Sequence, residues 1–454
     1  MIKRSIKPSP SNEINFSLPE IEKFKLDNEL EVFFINKSKL PIIQMNLIIN
    51  AGSVFDENEK KGLSNLFSMT VDEGAGKYNS LELSDEFETL GSHFNVSSSE
   101  DHVYFSLQTL TENFERSLEL LSLVITSPHL DEKDFLREQR KIITRLLQQQ
   151  DEPDEIADLV FEYCVFGKTN PYAFPITGYE SSVQNISISD IRNFYSKYIL
   201  PNNSSLIVVG NIGKEELQEN LNKYFHKWKS KNISQELIFP LMPNKKNIFL
   251  VDKKNSVQSE IRVGHISTKR KDNDYFPKLI LNTILGGQFT SRINLNLREK
   301  KGYTYGAHSR FNYLKECGNF YITTSVASEN TANAVKEIFN ELDGIRKGVT
   351  PEELEFAKLS LIRKFPSNFE TYKQIASNLI GSVIHSLPED YFNTYIKNIK
   401  EVTIEEVNSA AEKYILPDDS IIVIVGSKDI LEKQLFEING VKVTEVDFKG
   451  EISN

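Results

Sequence analysis

The sequence predicts an α+β protein of two homologous domains, each a mostly antiparallel sheet that helices cover on one face. Two observations lead to this prediction. The segment ISISDIRNFYSKYILPNNSSLIVVG at 186–210 returns as VTIEEVNSAAEKYILPDDSIIVIVG at 402–426, a constant offset of 216 residues. Strand-like and helix-like patterns also follow one another without regular βαβ alternation, which favours helices packed on an antiparallel sheet.

Each copy of this repeat predicts a helix followed by a buried strand. Ser187 with Asp190, and Thr403 with Glu406, have the spacing of a capping box, in which hydroxyl and carboxylate satisfy the first amides of a helix. A shared KYILP sequence then ends the helix at its proline. The runs LIVVG and IIVIVG that follow are β-branched, as in buried strands.

Further pairs upstream extend the duplication over most of the chain. Amphipathic helices are predicted at 129–147 and 348–366, and strands at 45–53 and 260–268, and at 102–110 and 319–327. The alternating pattern of the last pair indicates strands with one solvated face. We therefore expect an N-terminal domain at 1–232, a linker rich in lysine, asparagine and proline at 233–246, and a homologous C-terminal domain at 247–454.

Composition excludes several classes of function. The 454 residues carry 64 acidic and 53 basic side chains, a net charge of −11, so a protein that binds nucleic acid mainly by electrostatics is not expected. No apolar run has the length of a secretory signal or a membrane span, which favours a cytoplasmic protein without membrane contact. Cys164 and Cys317 lack paired spacing and are expected to be buried thiols in a reducing compartment.

The residues alone provide no catalytic constellation. No two of the seven histidines are three or four positions apart, so a helical zinc site built from two neighbouring imidazoles is not expected. There is also no nucleophile elbow and no phosphate-binding glycine loop. Most of these histidines are expected to be packed or surface residues.

Residues 47–74 nevertheless resemble the opening of the pitrilysin/insulinase metallopeptidase family, which includes mitochondrial processing peptidase. Within this family, the chain resembles the small two-domain bacterial subgroup. In the family a strand ending in Ala-Gly-Ser leads to a helix that carries the inverted zinc motif His-x-x-Glu-His. The strand ending is present at 51–53, but the motif is absent. Asn65 and Met69 stand at the two histidine positions, and Ser68 stands at the general-base glutamate.

The resemblance implies that the third zinc ligand is lost as well. In the family this ligand is a glutamate seven residues after another glutamate. Here the first is Glu138 and the ligand position is Arg145. An amide, a thioether and a guanidinium do not form a zinc site, so no metal and no cofactor are expected in this chain. We also consider that Arg145 fills the vacated pocket and pairs with Glu138.

A second segment, LGGQFTSRINLNLREKKGYTYGAHSRF at 285–311, resembles the C-terminal signature of the same family and is intact. Its arginine and tyrosine correspond to Arg298 and Tyr305. In the family the arginine binds a substrate carbonyl, and the tyrosine stabilises the oxyanion, reaching across to the zinc helix of another domain. The resemblance thus gives both residues a role in trans.

The combined interpretation is a non-catalytic subunit of a heterodimeric zinc endopeptidase that acts on peptides. A homologous partner chain would supply His-x-x-Glu-His and the zinc, and this chain would supply Arg298 and Tyr305. The alternative is a peptide-binding or structural scaffold without hydrolysis, similar to the family-like core subunits of the respiratory cytochrome complex; without a partner it would form a homodimer. An active peptidase with an unorthodox metal site is the third hypothesis.

Overall fold

The computed structural model describes residues 16–233, 237–241, 244–435 and 441–452. The strands are β1 Glu22–Lys25, β2 Glu31–Asn36, β3 Ile42–Ile49, β4 Gly74–Ala75, β5 Tyr78–Asn79, β6 His93–Ser98, β7 Val103–Leu110, β8 Ser204–Gly210, β9 Asn247–Asp252, β10 Gln258–Ser267, β11 Ala307–Tyr313, β12 Gly318–Ala327, β13 Ile421–Gly426 and β14 Val443–Glu445. The helices are α1 Leu63–Thr70, α2 Ser80–Thr89, α3 Phe114–Thr126, α4 Glu132–Gln149, α5 Pro153–Phe166, α6 Glu180–Gln184, α7 Ile188–Tyr198, α8 Lys214–Phe225, α9 Tyr275–Leu285, α10 Arg292–Asn294, α11 Thr331–Arg346, α12 Pro351–Lys364, α13 Tyr372–Ile384, α14 Tyr391–Glu401, α15 Ile404–Tyr414 and α16 Lys428–Leu435. A π-helical turn, Leu295–Lys300, continues α10.

Two six-stranded sheets share one topology, which confirms the predicted pair of homologous domains. The first sheet has the order β1-β2-β8-β3-β7-β6, and the second has the order β11-β12-β10-β13-β9-β14. Without β1 and β14, the five remaining strands of each sheet occupy equivalent positions. Most neighbours are antiparallel; the parallel pairs are β2 with β8, β9 with β13 and β9 with β14. The repeat found in the sequence is therefore a repeat of structure.

The repeated helices α7 and α15 begin as the capping pattern predicts. The Glu406 amide donates to Thr403 Oγ1 at 3.2 Å, and the Thr403 amide donates to Glu406 Oε2 at 2.7 Å. In the first copy the Ser187 amide donates to Asp190 Oδ2 at 2.9 Å. Strand β13 is buried along its whole length, and β7 alternates between buried and partly exposed residues. These patterns match the predicted buried and half-solvated strands.

Each sheet is covered on one face by helices of its own domain. In the first domain α1, α3, α4, α7 and α8 enclose a core with the apolar side chains of the sheet. In the second domain α9, α11 and α15 do the same. Burial of apolar area at about 25 cal/mol per Å² makes these layers the main source of stability.

The opposite face of each sheet is covered by a helix from the other domain. Helix α5 belongs to the first half of the chain but packs on β10 and β13 of the second sheet, where Val160 and Phe161 join the buried side chains of Val423 and Val425. Helix α13 belongs to the second half and packs on β3 and β8 of the first sheet. The sequence did not predict this reciprocal exchange, which joins the domains through a continuous apolar core.

A buried ion cluster accompanies α5 at this contact between the domains. The Arg262 side chain on β10 is 1% exposed and donates to Asp158 of α5 at 2.5 Å. It also pairs with Asp154 of α5 and, at 3.3 Å, with Glu260. A guanidinium can be buried in this way because its fork of donors is satisfied by several acceptors.

The described part of the predicted linker, residues 233, 237–241 and 244–246, contains no helix or strand but is held against the protein. Phe239 stacks on Tyr172 with ring centroids 5.0 Å apart, and Asn244 Oδ1 accepts from the Ile266 amide at 3.0 Å. Cys317 is buried and Cys164 half-buried, and neither forms a disulfide. Among the helices of the described ranges, none is both long and apolar enough to cross a bilayer.

Candidate functional site

Helix α1, which carries the positions of the lost zinc motif, is held by a buried carboxylate. Asp56 accepts from the amides of Gly62 and Ser64, both at 3.1 Å, and so satisfies free donors at the start of the helix. Burial raises the pKa of Asp56 to about 7, although Lys61 and the two amides oppose this shift. Gly62 has φ +98°, and a Cβ there would lie 2.6 Å from the Thr177 carbonyl oxygen, so this position requires glycine.

The three motif positions on α1 form local contacts that leave no set of metal ligands. Ser68 is buried, and its Oγ donates to the Asn65 carbonyl at 2.8 Å. Met69 packs against the core of the first domain, and its Sδ lies 4.0 Å from Asn65 Nδ2. A hydroxyl turned back to its own helix and a thioether in an apolar layer do not suit Zn²⁺, which prefers imidazole, thiolate or carboxylate.

Helix α4 packs beside α1 and carries an ion-pair cluster. The Glu138 side chain is 3% exposed and accepts from Arg137 Nε at 3.0 Å and from Lys141 Nζ at 2.7 Å. Arg137 also pairs with Glu73 at 2.5 Å and with Asp134. Burial by itself raises the pKa of Glu73, but hydrogen bonds from Ser80 and Arg137 outweigh this effect and lower it.

Arg145 does not fill the vacated pocket, so that hypothesis is wrong. Its side chain is exposed, and within the described ranges it forms no ion pair or hydrogen bond. Glu138 already has two cationic partners one and three positions away, which are closer than a side chain seven positions away. The Glu138–Lys141 spacing was visible in the sequence and could have identified this pair.

No metal site replaces the lost one in the described ranges. These residues contain no group of three or more histidine, cysteine, aspartate or glutamate side chains that could hold a metal ion. The acidic side chains around α4 are instead occupied by Arg137 and Lys141. The residues present therefore do not fit the family's zinc.

The segment of the second signature has a fixed backbone. Gly287 packs tightly on α9, where a Cβ would lie 2.9 Å from the backbone carbonyl oxygen of Asn282. Arg292 forms a two-pronged pair with Glu353, at 2.7 and 2.6 Å. Asn294 Oδ1 accepts from the Ala307 amide at 3.0 Å, which ties α10 to the beginning of β11. The structure thus holds both ends of the segment between Asn294 and Ala307, which contains Arg298 and Tyr305.

Of the two signature side chains, Tyr305 faces solvent and Arg298 is partly covered by Phe289. Tyr305 is 94% exposed and forms no hydrogen bond or ring contact with the described residues. The Arg298 guanidinium lies 4.4 Å from the ring centroid of Phe289 and is 34% exposed; its only acidic neighbour within 4 Å in the described chain is Glu299, at 3.6 Å. No hydrogen bond, ion pair or ring contact in the same ranges joins either residue to α1 or α4.

An unpaired sheet edge lies next to α1. Strand β6 is the edge strand of the first sheet and pairs only with β7 among the described strands. It also contacts α1. Its residues alternate between exposed and half-buried. An edge of this kind presents free backbone donors and acceptors to which an extended peptide can be added.

Two family models match the chain. Residues 31–165 match the insulinase family, peptidase family M16, and residues 185–361 match the peptidase M16 inactive domain. The chain belongs to the M16 peptidase family. Within it, the replaced zinc motif identifies a peptidase-like member of the inactive type.

Individual relatives agree with this family assignment. An uncharacterized zinc protease of Rickettsia felis is 26% identical over 74% of this chain and 81% of its own length. The non-peptidase homolog YmxG of Helicobacter pylori is 23% identical over 87% of this chain and 93% of its own. A crystal structure of a peptidase M16 inactive domain from Pseudomonas fluorescens has a TM-score of 0.84 at 24% identity, covers 90% of this chain and 98% of that one, and shows the fold.

Proposed function

We propose that this M16-family chain is the non-catalytic subunit of a heterodimeric zinc endopeptidase that hydrolyses peptides. A homologous partner would supply the His-x-x-Glu-His helix and the zinc ion. This chain would supply Arg298 to bind a substrate carbonyl and Tyr305 to stabilise the oxyanion of the tetrahedral intermediate. Alone, the chain would have no metal to activate water and would not hydrolyse peptides.

The exposure of Tyr305 carries this proposal. The segment around it is fixed by Asn294 and by the pair of Arg292 with Glu353, yet Tyr305 contributes nothing to the packing of its own domain. The backbone beside it is held in place, and the phenol hydroxyl remains available to a developing negative charge. Such a side chain is suited to a site completed by a second molecule.

The free edge of β6 supports a peptide substrate. Four extended residues added to this edge would span about 13 Å at 3.3 Å per residue. Their backbone would provide affinity without demanding a particular side chain. Because β6 contacts α1, a peptide bound there would pass the positions at which an active homologue carries its zinc motif.

A reconstitution experiment tests the proposal. The tagged chain is purified gently from its host, the stoichiometric partner is identified by mass spectrometry, and hydrolysis of a peptide by the pair is measured. We expect a partner with His-x-x-Glu-His and a loss of about 100-fold in kcat for Tyr305→Phe, the size typical of one oxyanion donor. Arg298→Ala is expected mainly to raise KM.

Lys300→Ala, an exposed change in the same π-helical turn, is the matched control and should leave both constants unchanged. Unaltered kcat and KM in the Arg298 and Tyr305 variants would contradict the assignment. Peptide binding without turnover in any partner's presence would favour the scaffold function, with which the name of the non-peptidase homolog agrees.

A further inference from the structure

A cavity of about 710 Å³ lies between the first sheet and the segment that connects α13 to α14. Its floor is the face of the sheet opposite α1, and Leu379 and Val383 of α13 form part of its wall. This volume lies within the usual range for ligand sites. The cavity is separate from β6, Arg298 and Tyr305, none of which lines it.

One end of the cavity carries donors that lack an acidic partner. Lys315 Nζ donates to Asn50 Oδ1 at 3.0 Å and has no carboxylate within 4.0 Å in the described part of the chain. His102 is 3% exposed and lines the same end, and no hydrogen bond to its ring nitrogens is formed by the described residues. Burial, followed by the charges of Lys315 and His385, lowers the pKa of His102 to about 3, so the imidazole is neutral.

The other end of the cavity is acidic. Glu31 on β2 and Glu20 before β1 line it, and Glu389 and Asp390 after α13 also line the cavity. Glu31 forms an ion pair with Lys23 at 3.9 Å, whereas Glu20 has no basic group within 4.0 Å in the described ranges. The floor between the ends is largely apolar, with Phe33 on β2 and Ile48 on β3, one on each side of β8.

The register of the sheet gives the length of the cavity. Glu31 on β2 lies opposite Ser205 on β8, and Ser205 lies opposite Ile48 on β3. Strand β7, which begins directly after His102, is the next strand of the sheet beyond β3. Three spacings of about 4.8 Å separate the acidic end from the His102 end by about 14 Å. An extended chain of four residues covers this distance.

We propose that this cavity binds a short apolar peptide with a free C-terminus, its carboxylate at Lys315 and His102 and its amino group toward Glu20 and Glu31. The buried imidazole and the unpaired ammonium supply the donors that a carboxylate needs. The apolar floor and α13 bury two or three aliphatic side chains. Opposite charges at the two ends set the direction of the peptide.

Calorimetry and NMR with the full chain test this site, with the tetrapeptide Ala-Leu-Ala-Leu as the probe. We expect binding that shifts the imidazole signal of His102 and that weakens at least tenfold when the peptide is amidated at its C-terminus. Lys315→Ala should cause a similar loss, and Val383→Trp, which fills the cavity, should abolish binding. Lys269→Ala is the matched control, because this exposed lysine pairs with Glu316 and does not line the cavity.

Three results would overturn the proposal. These are no binding of the tetrapeptide by the wild-type chain, equal binding of the free and amidated peptides, and binding of decanoate but not of the peptide. The last result would identify a site for an apolar carboxylic acid without need of the acidic end. Thermal unfolding of each variant, at an unchanged midpoint, excludes misfolding as the cause of lost binding.

Discussion

Lys141 donates from Nζ to the Glu138 carboxylate at 2.7 Å, on a helix where the family's active members place a zinc ligand two turns further along. Arg137 holds the same carboxylate from the other side at 3.0 Å. A buried anion is tolerable only when it is paired and hydrogen-bonded. Two cations of α4 therefore neutralise Glu138 without help from a metal.

Glu138→Gln is expected to reduce the free energy of unfolding by about 2 kcal/mol, because it removes charge-assisted hydrogen bonds at a buried position. Urea unfolding at pH 7 measures the loss. Glu219→Gln, an exposed change on α8, is the control and should have almost no effect. An equal stability of both variants would show that the ion cluster contributes nothing net.

Restoration of the family residues tests the placement of the lost metal site. The variant Asn65→His, Ser68→Glu, Met69→His and Arg145→Glu should take up about one zinc ion per chain, since it recreates two imidazoles and a carboxylate. Metal content after dialysis is the measurement, with the wild-type chain as reference. A folded variant without zinc would show that α1 and α4 do not present these positions to a common point.

The acidic residues of α5 are expected to stabilise the contact between the domains. The double variant Asp154→Ala and Asp158→Ala leaves the Arg262 guanidinium, which is 1% exposed, with Glu260 as its only remaining acidic partner in the described ranges. Because the guanidinium is buried but both carboxylates are more than half exposed, we expect a loss of about 1–2 kcal/mol, between the values typical of exposed and of buried pairs. Glu155→Ala, an exposed change on the same helix, is the control in thermal unfolding. Comparable midpoints for both would argue that water replaces the two carboxylates.

Stability should decrease as the pH falls from 6.5 toward 3 because of His102. Burial holds its pKa in the folded chain at about 3, whereas in the unfolded chain the imidazole takes up a proton near pH 6.5. The unfolded state binds more protons in this window, so the free energy of unfolding drops by about 1.4 kcal/mol per pH unit. His102→Gln should flatten the urea-derived pH profile, and His226→Gln, at an exposed position, should not.

Glu162 on α5 should have the opposite pH dependence. Burial, then the charges of Glu100 and Asp158, raises its pKa to about 8, so the folded chain keeps a proton that the unfolded chain releases near pH 4.5. Stability contributed by this group is present below pH 4.5 and is lost as the pH rises toward 8. Glu162→Gln should therefore be more stable than the wild type at pH 8, and an identical pH profile would contradict the shift.

The repeat and the residue patterns predicted the domains and much of each sheet because these features depend on local periodicity. The capping pair of Thr403 and Glu406, for example, is readable from four consecutive residues and lies at the start of α15. The exchange of α5 and α13 could not be predicted, since the apolar side of α5 is the same whether it covers its own sheet or the other one. Only tertiary packing decides between these two positions.

The sequence named candidate site residues, but their depth and surroundings could not be predicted. Helical spacing correctly placed Glu138 and Arg145 on α4, but spacing does not give the depth of each position, and Arg145 is exposed while Glu138 is buried. The exposure of Tyr305 likewise depends on how α10 and β11 are tied together by Asn294. The cavity at Lys315 joins residues more than 200 positions apart and has no sequence signature.

The reciprocal packing of α5 and α13 also constrains the order in which the chain can mature during synthesis. In chain order, β8 is the last strand of the first sheet and ends at Gly210. Helix α13, which covers the second face of that sheet, ends only at Ile384. At about 5–20 residues per second, the ribosome needs roughly 9–35 s to make the intervening chain. During this interval Ile48 and Ile207 have no covering helix. A nascent chain of the first half alone therefore exposes an apolar sheet face that chaperones can bind until the second half is complete.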